Sequence, residues 1–218
     1  MSVTPDPERF FTKRAGAYVR FIRAIRYGSG LKAFFLSSPL LRDNLRILDA
    51  GCGSGALTIA VVGAMRRRDV KPAALNAFDL TPAMLEQFRA TLKGDNLDGL
   101  QLAQANVLDL DALPQGWTGY DLIVSASMLE YVPRHRFVDA IRGLKDHLGP
   151  GGTFVLFITR RNLPMRLMIG WWWASNLYTK RELTEAFAAA GFLDTRFLSF
   201  PPQAANMGLW GHIVQARA

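Results

Sequence analysis

Apolar positions along the chain fall into two alternating patterns, short continuous runs and longer stretches with helical spacing. Leu45, Ile47 and Leu48 predict a first buried strand, and Ala56 to Met65 an apolar helix with Ser54 near its start. Residues 73–79 (AALNAFD), 100–105 (LQLAQA), 120–126 (YDLIVSA) and 153–159 (TFVLFIT) predict four more strands. Between them, Thr81 and Pro82 suit the cap and first turn of a helix reaching Lys93. A further helix is expected from Arg134 to Leu148, stopped by Gly149, Pro150, Gly151 and Gly152. Thr179 and Glu182 form a capping box that opens a last helix, closed at Gly191. Residues 192–200 and 208–218 read as late strands, and residues 10–36 as helical. Strand alternating with helix predicts an α/β fold, a mostly parallel sheet covered on both faces. Ligands then bind beyond the carboxyl ends of the strands, where strand order reverses.

One such end carries LDAGCGSGAL, residues 48–57, with glycine at 51, 53 and 55. Glycine is unfavourable in a strand or helix, so this turn implies a backbone that a ligand approaches closely. The spacing is G-x-G-x-G, whereas a dinucleotide turn needs G-x-G-x-x-G. Asp49 just before it would repel a pyrophosphate and welcome an ammonium or a sulfonium. S-adenosylmethionine carries both.

Composition narrows the setting. The 218 residues suffice for one well-packed domain, half of them apolar and a fifth charged. Cys52 is the only cysteine, which excludes an internal disulfide and a cysteine metal cluster and makes a cytoplasmic setting the default. No metal is expected. The net charge of +8 is uneven: residues 9–46 hold nine Lys and Arg against Asp43 alone, a surface that attracts anions or a solvated helix face.

From ILDAGCGSG onward the chain resembles the class I S-adenosylmethionine-dependent methyltransferases of small-molecule type, over nearly all of residues 10–218. The resemblance implies a Rossmann-like, doubly wound, seven-stranded sheet with an N-terminal helical lid at 1–44. The methyltransferase domain would follow at 45–218, with a substrate-side insertion at 160–178. It implies that Asp49, Gly51, Cys52, Gly53 and Gly55 cradle the cofactor. Asp79, with Leu80 beside it, would accept hydrogen bonds from both ribose hydroxyls. Asn106 stands where the family usually has an adenine-binding Asp, with Val107 next to it. Ser125 belongs to YDLIVSASMLEYV, which resembles the fourth motif. FTKRAGAY is similar to an F-x-x-x-A-x-x-Y pattern that would bring Arg14 and Tyr18 to the methionine carboxylate.

The acceptor is less legible. The [D/N/S]-P-P-[Y/F] motif of nucleobase methylation is absent, so nucleic acid is not expected as a partner. Tyr131 stands where many members have a His base, leaving Glu130 and Tyr131 as candidates for orienting a substrate. Residues 160–178 combine Arg160, Arg161 and Arg166 with Trp171, Trp172 and Trp173. Three consecutive Trp cannot share one face, since a helix spreads them over roughly 200°. They suit an apolar acceptor, an anionic membrane surface with peripheral attachment, or a lid packed on the sheet. The functional expectation is methyl transfer to O or N of a small, apolar or lipid-like acceptor. A non-catalytic regulator that binds the same cofactor is the alternative. A nicotinamide-dependent reductase is disfavoured by the glycine spacing.

Overall fold

The computed structural model describes residues 16, 17, 20, 23, 26–92, 97, 99–162 and 175–218. Seven strands form one sheet: β1 (Arg46–Ala50), β2 (Ala74–Asp79), β3 (Leu100–Gln104), β4 (Tyr120–Ala126), β5 (Leu148–Thr159), β6 (Asp194–Leu198) and β7 (Gly211–Arg217). Their spatial order is β3-β2-β1-β4-β5-β7-β6. The first five run parallel, while β7 pairs antiparallel with both β5 and β6. The chain moves outward from β1 through β2 to β3, then returns to place β4 on the other side of β1. That reversal leaves a crevice at the carboxyl ends of β1 and β4.

The sheet's two faces follow the alternation of β1. Leu48 and Ala50 face one apolar layer with Phe78, Ile123, Phe154 and Leu156. It is covered by α4 (Phe137–Asp146) and α5 (Lys180–Ala189). Ile47 faces the other layer, with Leu122, Val124, Val155 and Phe157. There α1 (Tyr27–Ser37) and α2 (Ala56–Arg67) bury Leu31, Phe34, Phe35, Leu57, Val61 and Met65. From Tyr27 on, the stretch expected as a lid is thus a layer of the main core. Finally α3 (Pro82–Leu92) packs Leu85 and Phe88 on Cys52 and Ala77.

Several boundaries differ from expectation for local reasons. The helix expected over Arg134–Leu148 is a 3-10 turn at Arg134–Arg136 followed by α4. Leu148 pairs with Tyr120 across a register irregularity, so β5 begins before the glycines, which form a bulge inside the strand. A side chain at Gly152 would stand 2.7 Å from the Tyr120 carbonyl oxygen. Arg66 and Arg67 end α2 as expected, whereas Arg68 turns its guanidinium onto the carbonyls of Leu36, Ser38 and Leu41. It closes the C-terminus of α1. The capping box at Thr179 and Glu182 is present, and Gly191 adopts φ +88°. A 3-10 segment at Pro202–Leu209, not foreseen, seats the Met207 thioether where any side chain at Gly30 would lie. Arg14, Tyr18, Arg166 and Trp171–Trp173 lie outside the described residues. Among the described residues no helix is long and apolar enough to cross a membrane.

Candidate cofactor and acceptor site

At the end of β1 the chain makes a tight turn in which Gly51, Gly53 and Gly55 all have left-handed φ, +73°, +53° and +89°. Their surroundings separate them. A Cβ on Gly51 would meet the Met128 side chain at 2.2 Å, and one on Gly55 the Phe88 ring at 2.1 Å. A Cβ on Gly53 would meet no described atom within 4 Å. Two glycines are therefore demanded by packing, and the middle one borders open space. The amides of Gly51 and Cys52 both donate to the Phe78 carbonyl at 2.9 Å, which ties the turn to β2.

Asp79, the last residue of β2, completes that tie. Its Oδ2 accepts from the Gly53 amide at 2.8 Å and its Oδ1 from the Thr81 amide at 2.9 Å. Burial raises its pKa, and the two amides oppose that rise. Lone pairs remain on both oxygens, so the carboxylate is preorganised to accept two further hydrogen bonds. Asp49 is more deeply buried, with Oδ2 accepting from the Thr58 hydroxyl at 2.5 Å. Its Oδ1 has no hydrogen-bond partner. Burial, abetted by the Asp79 charge and opposed by Thr58, pushes its pKa up to about 7. Cys52 is buried, and burial with the two nearby aspartates pushes its thiol well up, away from nucleophilic chemistry.

The glycine turn, Cys52 and Asp79 open onto a cavity of about 390 Å³, within the range of small-molecule sites, whereas Asp49 does not line it. Gly51, Cys52, Gly53 and Asp79 line one side, and Leu80, Asn106 and Val107 continue it. The Asn106 side-chain oxygen accepts from the Leu108 amide at 3.0 Å, leaving its NH2 as the group without a described partner. The opposite side is apolar: Met128, Tyr131, Val132 and Pro133, from the connection that follows β4.

Two residues of that connection behave otherwise than their motif suggests. Ser125 is fully buried and does not line the cavity; its hydroxyl donates to the Ala50 carbonyl at 2.7 Å, joining β4 to β1. Glu130 does not line it either. Its carboxylate accepts from the Thr159 amide at 2.9 Å and the Thr159 hydroxyl at 3.1 Å, so it anchors β5 to the connection. Burial pushes its pKa up to about 7 against those two bonds. Of the two acceptor-side candidates, only Tyr131 faces the cavity.

The structure adds a residue that the sequence did not single out. Tyr27, at the start of α1, lines the cavity, and its hydroxyl lies 3.2 Å from that of Ser127. Ser127 holds φ +53°, and Arg26, just before Tyr27, holds φ +54°. Two non-glycine residues in the left-handed region flank this one contact, a strain that the surrounding packing sustains. No local pattern reveals it, because the partners are 100 positions apart. Thr81 and Met84 of the following helix also line the cavity. Among the described residues no cluster of His, Cys, Asp or Glu is arranged to hold a metal.

A family model described as a methyltransferase domain matches residues 47–152. Among curated proteins, trans-aconitate 2-methyltransferase of Streptomyces avermitilis is 36% identical over 117 residues, covering 52% of this chain and 39% of its own. Highly reducing polyketide synthase 2 of Gibberella zeae is 30% identical over 152 residues, covering 59% of this chain and 5% of its own. The match thus spans well under two thirds of either relative's length. Among solved structures, a complex between the Haloferax volcanii Trm112 methyltransferase activator and a putative methyltransferase gives a TM-score of 0.71. Identity there is 18%, with 98% of this chain and 97% of that chain covered, a likeness of fold.

Proposed function

We propose that the chain is a class I S-adenosylmethionine-dependent methyltransferase that transfers a methyl group to a small, apolar acceptor. The observation that carries the proposal is the two-sided cavity. One side presents backbone and carboxylate groups, and the other presents Met128, Tyr131, Val132 and Pro133.

Asp79 would hold the ribose hydroxyls, with its orientation fixed by the Gly53 and Thr81 amides. The open space at Gly53 would admit the cofactor against the turn. The cofactor supplies an activated methyl group on a sulfonium. The protein's part is then to align the acceptor in line and keep water out, the work of the apolar wall.

What the described lining lacks supports one choice of acceptor atom. It contains no histidine and no lysine, and its one carboxylate, Asp79, has both oxygens engaged by amides. An acceptor that arrives already ionised needs no base. Among O and N acceptors this favours an oxygen, that of a small apolar carboxylic acid. The S. avermitilis relative is named for a carboxylic acid, which supports the same choice.

The test is incubation with labelled S-adenosylmethionine and a panel of apolar carboxylic acids, phenols and amines. S-adenosylhomocysteine should form together with a base-labile methyl ester. Cofactor binding with no turnover on any acceptor would instead favour a regulatory protein that only binds the cofactor.

A further inference from the structure

A second concavity, of about 580 Å³, lies between α1 and α2 and shares only Ala56 with the cofactor cavity. Its floor is Ala56, Ile59, Ala60 and Gly63, the i, i+3, i+4, i+7 face of α2. Gly28, Ser29 and Lys32 rise from α1 on one side, and Arg66 and Arg67 from the last turn of α2 on the other. Among the described residues no acidic one lines it.

The cations here are placed differently from their neighbours. Arg68 turns away to three carbonyls, and Arg42 pairs with Asp121. Lys32 extends across the groove so that its Nζ would stand 3.0 Å from a Cβ on Gly63, room that only glycine leaves. The side chains of Lys32 and Arg67 have no hydrogen-bond or ion-pair partner among the described residues. Favourable interaction with the end of the α2 dipole accounts for Arg66 and Arg67; Lys32 comes from α1. Lys32 and Arg67 converge on a groove that no described acid lines, and like charges so placed repel one another unless an anion joins them. At the groove's α1 side the helix begins at Tyr27, and Ser29 of its first turn lines the groove, its hydroxyl a neutral donor beside the charged ones.

From this convergence we propose that the α1–α2 groove binds a phosphate-bearing ligand. A phosphate group offers up to two charges and three acceptor oxygens, enough to engage an ammonium, a guanidinium and a hydroxyl together. A single carboxylate would leave part of that set unmet. The inference stands on the groove's own residues and is independent of the acceptor proposed above.

The experiment uses the full chain, Lys32→Gln/Arg67→Gln, and a control with two cations removed elsewhere, Lys145→Gln/Arg217→Gln. Inorganic pyrophosphate is titrated by calorimetry, and vesicles of phosphatidylglycerol or of phosphatidylcholine are co-sedimented. Thermal unfolding verifies that each variant is folded. The parent chain should bind pyrophosphate or the phosphatidylglycerol vesicles. The groove variant should bind about tenfold more weakly or worse, with the control within about threefold of the parent. Pyrophosphate binding marks a soluble phosphate ester as the source, and binding to phosphatidylglycerol vesicles alone marks a lipid headgroup. The proposal is overturned if neither probe binds, if the groove variant binds as the parent does, or if the control loses as much.

Discussion

The turn after β1 and the connection after β4 face each other across one cavity, and they are built by opposite means. The first is made of backbone: three left-handed glycines, two amides on the Phe78 carbonyl, and Asp79 gripping the Gly53 amide. The second is made of side chains, with Met128, Tyr131, Val132 and Pro133 supplying the surface and Ser127 bent into the region that glycine prefers. A backbone cradle admits few sequences, because each position has its own steric requirement. A side-chain wall admits many, because any apolar residues of suitable volume complete it. The glycine turn is therefore constrained and the apolar wall free to vary.

The sharpest way to break this contrast is at the glycines themselves. Gly55→Val forces a branched residue into left-handed backbone and into the Phe88 ring, and should cost about 4 kcal/mol or more of folding stability. Thermal unfolding should show that loss. Gly53→Ala at the open position should cost only about 1–2 kcal/mol in backbone strain while removing S-adenosylhomocysteine binding. Equal loss of stability in both variants would mean that the turn is uniformly packed and has no ligand-facing member.

Next in size is Asp79→Ala. It strips the Gly53 and Thr81 amides of their acceptor and removes the proposed ribose contacts, so S-adenosylhomocysteine affinity should fall about 100-fold or more. Calorimetric titration reads this directly. Unchanged affinity would take Asp79 out of the binding site.

A third effect appears in the pH dependence of stability. Asp49 and Glu130, both buried and neither lining the cavity, have pKa values pushed up to about 7 in the folded chain. A raised folded pKa means that the native state holds the proton where the unfolded chain has released it. Their contribution is full below about pH 4 and is lost as pH rises through about 7. Urea unfolding at intervals from acid to neutral pH should show the decline, and Asp49→Asn/Glu130→Gln should flatten it. A parent whose stability rises across that window contradicts the assignment.

The smallest expected change sharpens the side-chain wall. Tyr27→Phe removes the contact with Ser127 and should cost about 1 kcal/mol. Ser127→Gly loses the same contact but relieves the left-handed backbone, so its net cost should be nearer zero. If urea unfolding finds Ser127→Gly the more damaging of the two, the backbone there is not strained.

What the sequence determined by itself is what local chemistry dictates. Alternating runs give strands and helices, Thr179 and Glu182 cap α5, and glycine at 51, 53 and 55 marks a turn that few other residues can make. Asp49 and Asp79 were legible because each ends a predicted strand beside that turn. Beyond that reach, side chains find partners that no spacing encodes. Asn106 gives its oxygen to a neighbouring amide, Ser125 ties β4 to β1, and Glu130 anchors β5 although its motif pointed toward the acceptor. Tyr27 joins the cavity from 100 positions away, and Lys32 and Arg67 of two different helices line one groove. Only the tertiary structure decided these, because a buried polar group must take whatever partner the packing brings within about 3 Å, and packing is a property of the whole chain.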